Sequence, residues 1–395
     1  MNHVAIVSAC RTPIGTIGGQ FKTLAALDLS IPVMQALIQR SGVDPALIDD
    51  VIWGCNYQKT YLENNLARVA AVKAGLPITV PGITVHRNCT SSVSSVQLGY
   101  YQIMAGEADF IMAGGSESMS NASHTVEGVR WGKKFGNLEL RDSMWDSLTN
   151  LGVGPAMGIT AENLVEKYDI TRQQQDELAL LSQQRACQAL KDGVFKDEIV
   201  PIEVRSRKGV TVVDTDEYPK DDTTMEKLSK LNASFKENGT VTAGNASGMN
   251  DASSGVILAA EDKARELGLP ILGRILATAT VGVDPDIMGI GPVGATRKAM
   301  EKAGLTLDQL DRIELNEAFA AQYLACEKEL GLNREITNVH GSGISLGHPV
   351  GATGTRLITT LLYELKHTGG RYGLVTICAG GGMGVALVLD AKPET

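Results

Sequence analysis

Two thiols and an imidazole stand out, because together they can make and break a carbon–carbon bond next to a thioester. Cys89 lies in His86-Arg87-Asn88-Cys89-Thr90-Ser91-Ser92, at an expected helix start. Unpaired N–H groups and the positive dipole end of a helix favour a thiolate there. His348 sits between Gly347 and Pro349. An imidazole held in such a loop is the base that a nucleophilic Cys needs. Cys378 closes the apolar run 372–377 and leads into Gly380-Gly381-Gly382. That glycine run offers backbone N–H groups to a developing oxyanion, and a second thiol beside it can carry a proton to and from carbon.

Each residue also has a plainer reading. A lone Cys is usually a small buried apolar residue. Asn316, in Asn316-Glu317-Ala318-Phe319-Ala320, either caps the next helix or orients a water in an oxyanion pocket. The polar run 242–251 is either a ligand-hugging loop or a packed turn. The joint occurrence of all these features favours chemistry.

The elements that must position them alternate. Strands are expected at 3–9, 50–54, 83–87, 108–113, 272–282, 311–315, 336–339 and 371–378. Helices are expected at 23–40, 64–75, 89–105, 160–168, 171–192, 295–303, 318–330 and 351–366. Continuous apolar strands between helices indicate an α/β fold with mostly parallel, buried sheets. A weak internal repeat relates the halves. In each, a small-residue helix start is followed by a strand and a glycine turn, Gly114-Gly115 in the first and Gly380-Gly381-Gly382 in the second. Residues 121–250 interrupt the pattern and read as an inserted lid or cofactor platform. The expected division is 1–120, completed by about 251–270, then a loop domain at 121–250, then 271–395.

Composition bounds the alternatives. With 395 residues, 43% hydrophobic and 21% charged, the chain has material for two or three cores and is not disordered. Its 43 glycines imply close backbone approaches, and 5% aromatics imply a core of small side chains. A net charge of −9 argues against nucleic acid as a partner. The basic stretches Arg205-Ser206-Arg207-Lys208 and Arg130-Trp131-Gly132-Lys133-Lys134 are either anion patches or solvated charges. The six cysteines form no C-x-x-C pair and no His pair has ligand spacing, so no metal site is expected. Their spread fits a reducing compartment, and no signal peptide or membrane span is expected. The expected location is the cytoplasm.

The blocks around Cys89, Asn316, His348 and Cys378 resemble the four active-site blocks of thiolases. Arg11-Thr12-Pro13-Ile14-Gly15, 114–120, 157–162, 242–248 and 288–292 are similar to further blocks of that family, in order along nearly the whole chain. The resemblance implies a five-layered αβαβα thiolase fold of two similar halves with an inserted loop domain, assembled as a homodimer or homotetramer. It implies that Cys89 carries the acyl group, His348 activates it, and Cys378 exchanges the proton on the second acyl-CoA. One oxyanion hole would combine His348 with a water held by Asn316. The other would use the N–H groups of Cys89 and Gly380. Ser247, Gly244, Ala243, Ala318, Phe319 and Met157 match positions along the CoA path, and Met157 and Met288 match walls of a short-chain pocket. Acyl-CoA is implied as substrate, with no permanently bound cofactor.

Three positions depart from the family pattern. Ser92 adds a Cβ where the family usually has Gly, and is expected to reshape the acyl pocket. Ala156 replaces a usual His. Lys220 replaces a usual basic CoA contact that has a planar fork. The implied activity is acetyl-CoA acetyltransferase. The alternatives are a degradative 3-ketoacyl-CoA thiolase of broader chain length and a non-catalytic acyl-CoA or lipid-binding protein. The latter should lack a reactive residue, and all four are present. A related ketoacyl synthase would carry a second His where Asn316 stands.

Overall fold

The computed structural model describes residues 3–59, 61–207 and 209–393, so Lys208 of the basic stretch lies outside the described residues. The strands of the main sheet are β1 (Val4–Arg11), β2 (Asp50–Gly54), β3 (Gly82–Val85), β4 (Phe110–Ser118), β5 (Asn250–Ala260), β6 (Gly273–Gly282), β7 (Arg312–Leu315), β8 (Tyr372–Ala379) and β9 (Met383–Asp390). The helices that matter here are α1 (Ala26–Ser41), α2 (Leu66–Ala74), α3 (Ser91–Ala105), α4 (Ser143–Thr149), α5 (Met157–Tyr168), α6 (Arg172–Asp192), α7 (Gly291–Ala303), α8 (Ala320–Leu330) and α9 (Thr353–Thr368).

These strands lie in the order β7-β8-β9-β6-β1-β5-β4-β2-β3, with Gly15–Thr16 added beside β5. The internal repeat is visible in that order. Numbered within itself, the first half runs 3-2-4-5-1. The second half follows the same order, with an isolated bridge between Ile313 and Thr337 in place of its third strand. The halves join where Val4, Ala5 and Ile6 pair with Ile275, Arg274 and Gly273.

Several expectations need correction. The sheet is not mostly parallel: among the pairings of these nine strands only β2–β3, β2–β4 and β7–β8 are parallel, and every pairing from β4 across to β8 is antiparallel. Apolar runs report burial on both faces and carry no information about direction. The expected strand at 336–339 is reduced to its single bridge. Two of the nine strands named above went unrecognised. β5 opens Asn-Asp-Ala-Ser-Ser-Gly, with little β-propensity of its own. β9 follows directly on the glycine run.

Gly114 and Gly115 are not a turn. They lie inside β4, opposite Gly255 and Ser254. A Cβ at Gly115 would stand 2.0 Å from the Gly351 carbonyl oxygen and 2.8 Å from Ser92 Cβ. Glycine is required there by close approach. In the second half the turn is real, with Gly381 and Gly382 at φ 83 and 80.

Three cores define the five layers. One packs α1 and α2 on the first half-sheet through Val33, Met34, Leu37, Leu66 and Trp53. The central one packs α3 and α9 between the half-sheets, through Val93, Val96, Leu357, Ile358 and Leu361. The third places α7 and α8 on the second half-sheet. α3 and α9 are therefore the buried middle layer, and the segments that lead into them carry Cys89 and His348. The inserted region is anchored by a buried ion network: Arg11, at the end of β1, bonds Glu198 at 2.5 Å and Asp216 at 2.7 Å. Removing one member of such a network strands a buried charge. No described helix is long and apolar enough to cross a membrane.

Candidate active site

Cys89 lies just outside its helix. α3 begins at Ser91 with Thr90 as N-cap, and Asn88 holds φ 46, a left-handed value that Asn tolerates. The Asn88 amide donates to the Gly380 carbonyl at 2.8 Å, and the Gly380 N–H acts on the Cys89 thiol. The nucleophile and the glycine turn after β8 are thus tied together from both sides. Burial pushes the Cys89 thiol up to about 11, and the N–H of Gly380 offsets this only in part. The expected lowering does not occur, because desolvation outweighs the helix terminus.

His348 is buried, and its backbone N–H donates to Asn250 Oδ1 at 2.9 Å. Thr353 Oγ1 gives its proton to the Pro349 carbonyl and so accepts from His348 Nδ1–H at 2.7 Å. Nε2 is left as the unprotonated ring nitrogen. Burial, reinforced by the Arg356 charge, lowers the imidazole to about 3, so it rests neutral. Asn316 Nδ2 lies 3.4 Å from that Nε2. Asn316 does not cap a helix: α8 starts at Ala320 with Phe319 as N-cap. Its Oδ1 is buried and has no hydrogen-bond partner among the described residues.

Cys378 is buried at the end of β8, packed with Met288, Ala318, Phe319 and Met157. Burial, and then the charge of Cys89, hold its thiol well above the ordinary range. The segment 242–248 is both a packed turn and an open loop. Thr242 and Asn245 are buried and Ala243 is exposed. The Ser247 N–H donates to the Ala318 carbonyl at 2.9 Å, and Ala246 bridges Phe319. Gly244 packs on Leu228 and Leu231. Lys220 is exposed, with Nζ 5.3 Å from the centre of the Tyr218 ring, and that ring abuts Gly248. Ser247, Ala318, Phe319 and Met157 are therefore brought together, while Gly244 lies against Leu228 and Leu231 and Lys220 against Tyr218.

A cavity of about 360 Å³ opens at Cys89. Its floor is Leu148, Leu151, Met157, Val350 and Gly380, and Asn56, Tyr57 and Ser147 wall it. The wall residues were missed from the sequence, since neither segment carries a reactive pattern. Ser92 does not line the cavity. Its Oγ accepts the Thr355 N–H at 3.1 Å, so it caps α9 from the neighbouring helix. The expectation that Ser92 shapes the acyl pocket is corrected accordingly. Ala156 is the N-cap of α5 and offers no side-chain cap. The described residues of the basic stretches are exposed: Lys133 bonds the Asn137 carbonyl and Arg205 pairs with Glu203 at 3.9 Å.

Comparison with known proteins agrees with this geometry. The model "Thiolase, N-terminal domain" matches residues 4–262, and "Thiolase, C-terminal domain" matches residues 269–391. The chain belongs to the thiolase family. This thiolase is 46% identical to an acetyl-CoA acetyltransferase of Syntrophomonas wolfei, over 98% of the chain and 99% of the relative. It is similar in structure to the Bacillus anthracis acetyl-CoA acetyltransferase, with a TM-score of 0.96, 47% identity and 99% coverage of both chains. Human mitochondrial 3-ketoacyl-CoA thiolase in complex with CoA superposes on this thiolase with a TM-score of 0.95, at 43% identity and 98% coverage of both chains.

Proposed function

We propose that this thiolase reversibly condenses two acetyl-CoA into acetoacetyl-CoA and CoA through an acyl-Cys89 thioester. The chain is an enzyme of the acetyl-CoA acetyltransferase type. The observation that carries the residue roles is the cavity that Cys89 and Gly380 line, together with the buried His348–Asn316 pair.

In this reading a neutral thiol and a neutral imidazole form the resting pair. The Cys89 sulfur attacks the thioester carbonyl while His348 Nε2 takes its proton. His348 then returns the proton to the departing CoA sulfur. The backbone N–H groups of Cys89 and Gly380 face the oxyanion of this step. In the second step Cys378 passes its proton to His348 Nε2 and, as a thiolate, removes a methyl proton from the incoming acetyl-CoA; the carbanion attacks the acyl carbon, the bond from that carbon to the Cys89 sulfur breaks, and His348 returns its proton to that sulfur. The oxyanion there is met by His348 Nε2–H and by a water donating to Asn316 Oδ1. A thiolate at Cys89 opposes one at Cys378. A thioester at Cys89 cannot carry that charge, so Cys378 ionises more readily once the first thiol is loaded.

The segment 242–248, Ala318, Phe319, Met157 and Lys220 would hold CoA, which is substrate and product here and not a resident cofactor. The working partition remains 1–120 with 251–270, then 121–250, then 271–395. The cavity of about 360 Å³ exceeds what an acetyl group fills, so somewhat larger 3-ketoacyl groups should be cleaved as well. All six cysteines are free, which supports a reducing compartment, the cytoplasm. Trp131, Phe135 and Leu140 are exposed on one segment and support self-association as a dimer or tetramer. The deciding experiment is incubation with acetyl-CoA followed by peptide mass mapping, together with thiolysis of C4 to C16 3-ketoacyl-CoAs. One acetyl group on the Cys89 peptide and a kcat/KM for C4 above that for C12 are expected. Acetylation that survives Cys89→Ala would remove the reading.

A further inference from the structure

Glu117 lies within β4 and is wholly buried. The groups acting on its carboxylate are backbone N–H groups and a thiol, and none is a cation. A buried carboxylate without an ion-pair partner is costly unless its oxygens are fully used. They are used across two separate segments. Asn56 N–H donates at 3.2 Å and Tyr57 N–H at 3.0 Å, with Cys55 Sγ at 3.8 Å. The third backbone group that acts on the carboxylate is Gly351, which lies directly against it. A Cβ at Gly351 would stand 2.7 Å from Glu117 Oε2 and 2.6 Å from the Ser116 carbonyl, so the fit leaves no space.

Both segments face Cys89. Asn56 and Tyr57 wall the cavity, and the Tyr57 hydroxyl meets Ser147 Oγ of α4 at 2.6 Å. Gly351 ends the loop that carries His348 and the cavity residue Val350. One carboxylate therefore ties the seat of the acyl group to the loop of the base. Resting on the Cys89–His348 chemistry above, we propose that Glu117 is a positioning residue that locks the Asn56–Tyr57 wall to the His348 loop and so fixes acyl group and base relative to one another. It touches neither substrate nor the reacting atoms.

Burial raises the carboxyl to about 7, so the lock loosens as pH falls through that value. The titratable groups that feel Glu117 are Cys55, Tyr57 and Cys89, while Glu63 acts on Cys55 and Asp142 on Tyr57.

The test uses full-length Glu117→Gln, which keeps size but points an amide N–H₂ at N–H donors. Three readouts are taken: the rate of Cys89 acetylation by acetyl-CoA, kcat and KM for four- and six-carbon 3-ketoacyl-CoAs, and amide hydrogen exchange. Acetylation should slow at least about tenfold, and KM should rise more for the six-carbon substrate. Exchange at 55–58 and at 349–352 should quicken together, while α2 keeps wild-type protection. Wild-type acetylation with unchanged exchange would overturn the proposal, as would loosening of one segment alone. If the variant does not fold, wild-type exchange at pH 8 and pH 6, corrected for intrinsic rates, decides. Both segments must lose protection together at the lower pH, and unchanged protection overturns the proposal. Wild-type enzyme that takes no label on Cys89 would instead remove the underlying reading.

Discussion

Asn316 Nδ2 lies 3.4 Å from His348 Nε2, and both side chains are buried. The amide is oriented by its N–H toward the ring, which turns Oδ1 the other way, where no described residue meets it with a hydrogen bond. A buried acceptor left open is costly in a fold that pairs nearly all its polar groups. Its orientation is the geometry required of a water-holding residue.

Asn316→Ala should therefore lower kcat by roughly two to three orders of magnitude, the usual loss on removing an oxyanion donor, with little change in KM. The backbone bond from Asn316 N–H to the Thr376 carbonyl survives the substitution. Steady-state kinetics and a melting curve decide. Normal turnover with a lowered Tm would make Asn316 a packing residue.

Cys89 should alkylate as a thiol of high pKa. With its thiol at about 11, the thiolate fraction grows about tenfold per pH unit across the neutral range. The log of the iodoacetamide rate should rise with a slope near one from pH 6 to 9, with CoA protecting. A plateau below pH 8 would mean a preformed thiolate.

Cys378→Ser should still take an acetyl group on Cys89 but lose condensation. Exchange of acetyl-CoA methyl protons with deuterated solvent should fall in parallel. A variant that keeps this exchange would leave Cys378 a buried thiol.

Ser92→Ala should change stability and leave specificity alone. The lost cap on α9 is worth about 1 kcal/mol, seen as a lower Tm. The ratio of kcat/KM for four- and six-carbon 3-ketoacyl-CoAs should stay at the wild-type value. A shift in that ratio would put Ser92 back in the acyl pocket.

His348 gives a pH-dependent stability of definite sign. Its folded pKa, lowered by burial and then Arg356, is about 3, against about 6.5 when unfolded. The unfolded chain binds more protons between these values, so stability falls as pH drops from 6.5 to 3. Glu117 and Glu314, raised by burial to about 7 and 8, act in the opposite direction. Comparison with His348→Asn cancels the carboxylates. The variant should lose less stability than wild type between pH 6.5 and 4, by about 1.4 kcal/mol per unit. Parallel curves would mean that His348 is already charged.

The sequence by itself determined the reaction. Cys89, His348, Asn316 and Cys378 each stand in a local run that bears on their chemistry, and glycines at 347 and 380–382 mark where the backbone must turn. It also determined most helices, because amphipathic spacing and C-terminal glycines such as Gly42, Gly106 and Gly193 are local signals. Strand direction, by contrast, was decided only by the tertiary structure, since apolar runs look alike whichever way they pair. β5 depends wholly on its partners, because Asn-Asp-Ala-Ser-Ser-Gly has no strand preference until β1 and β4 flank it. The reach of Ser92 to Thr355 spans 263 positions, and no spacing rule covers that distance. Protonation states were decided the same way. A Cys at a helix start suggests a low pKa, but the enclosure that raises it is built by residues from the whole chain. Most elements other than β5 were local in origin. Their direction, burial and polar partners were set by contacts that exist only once the two halves close on one another.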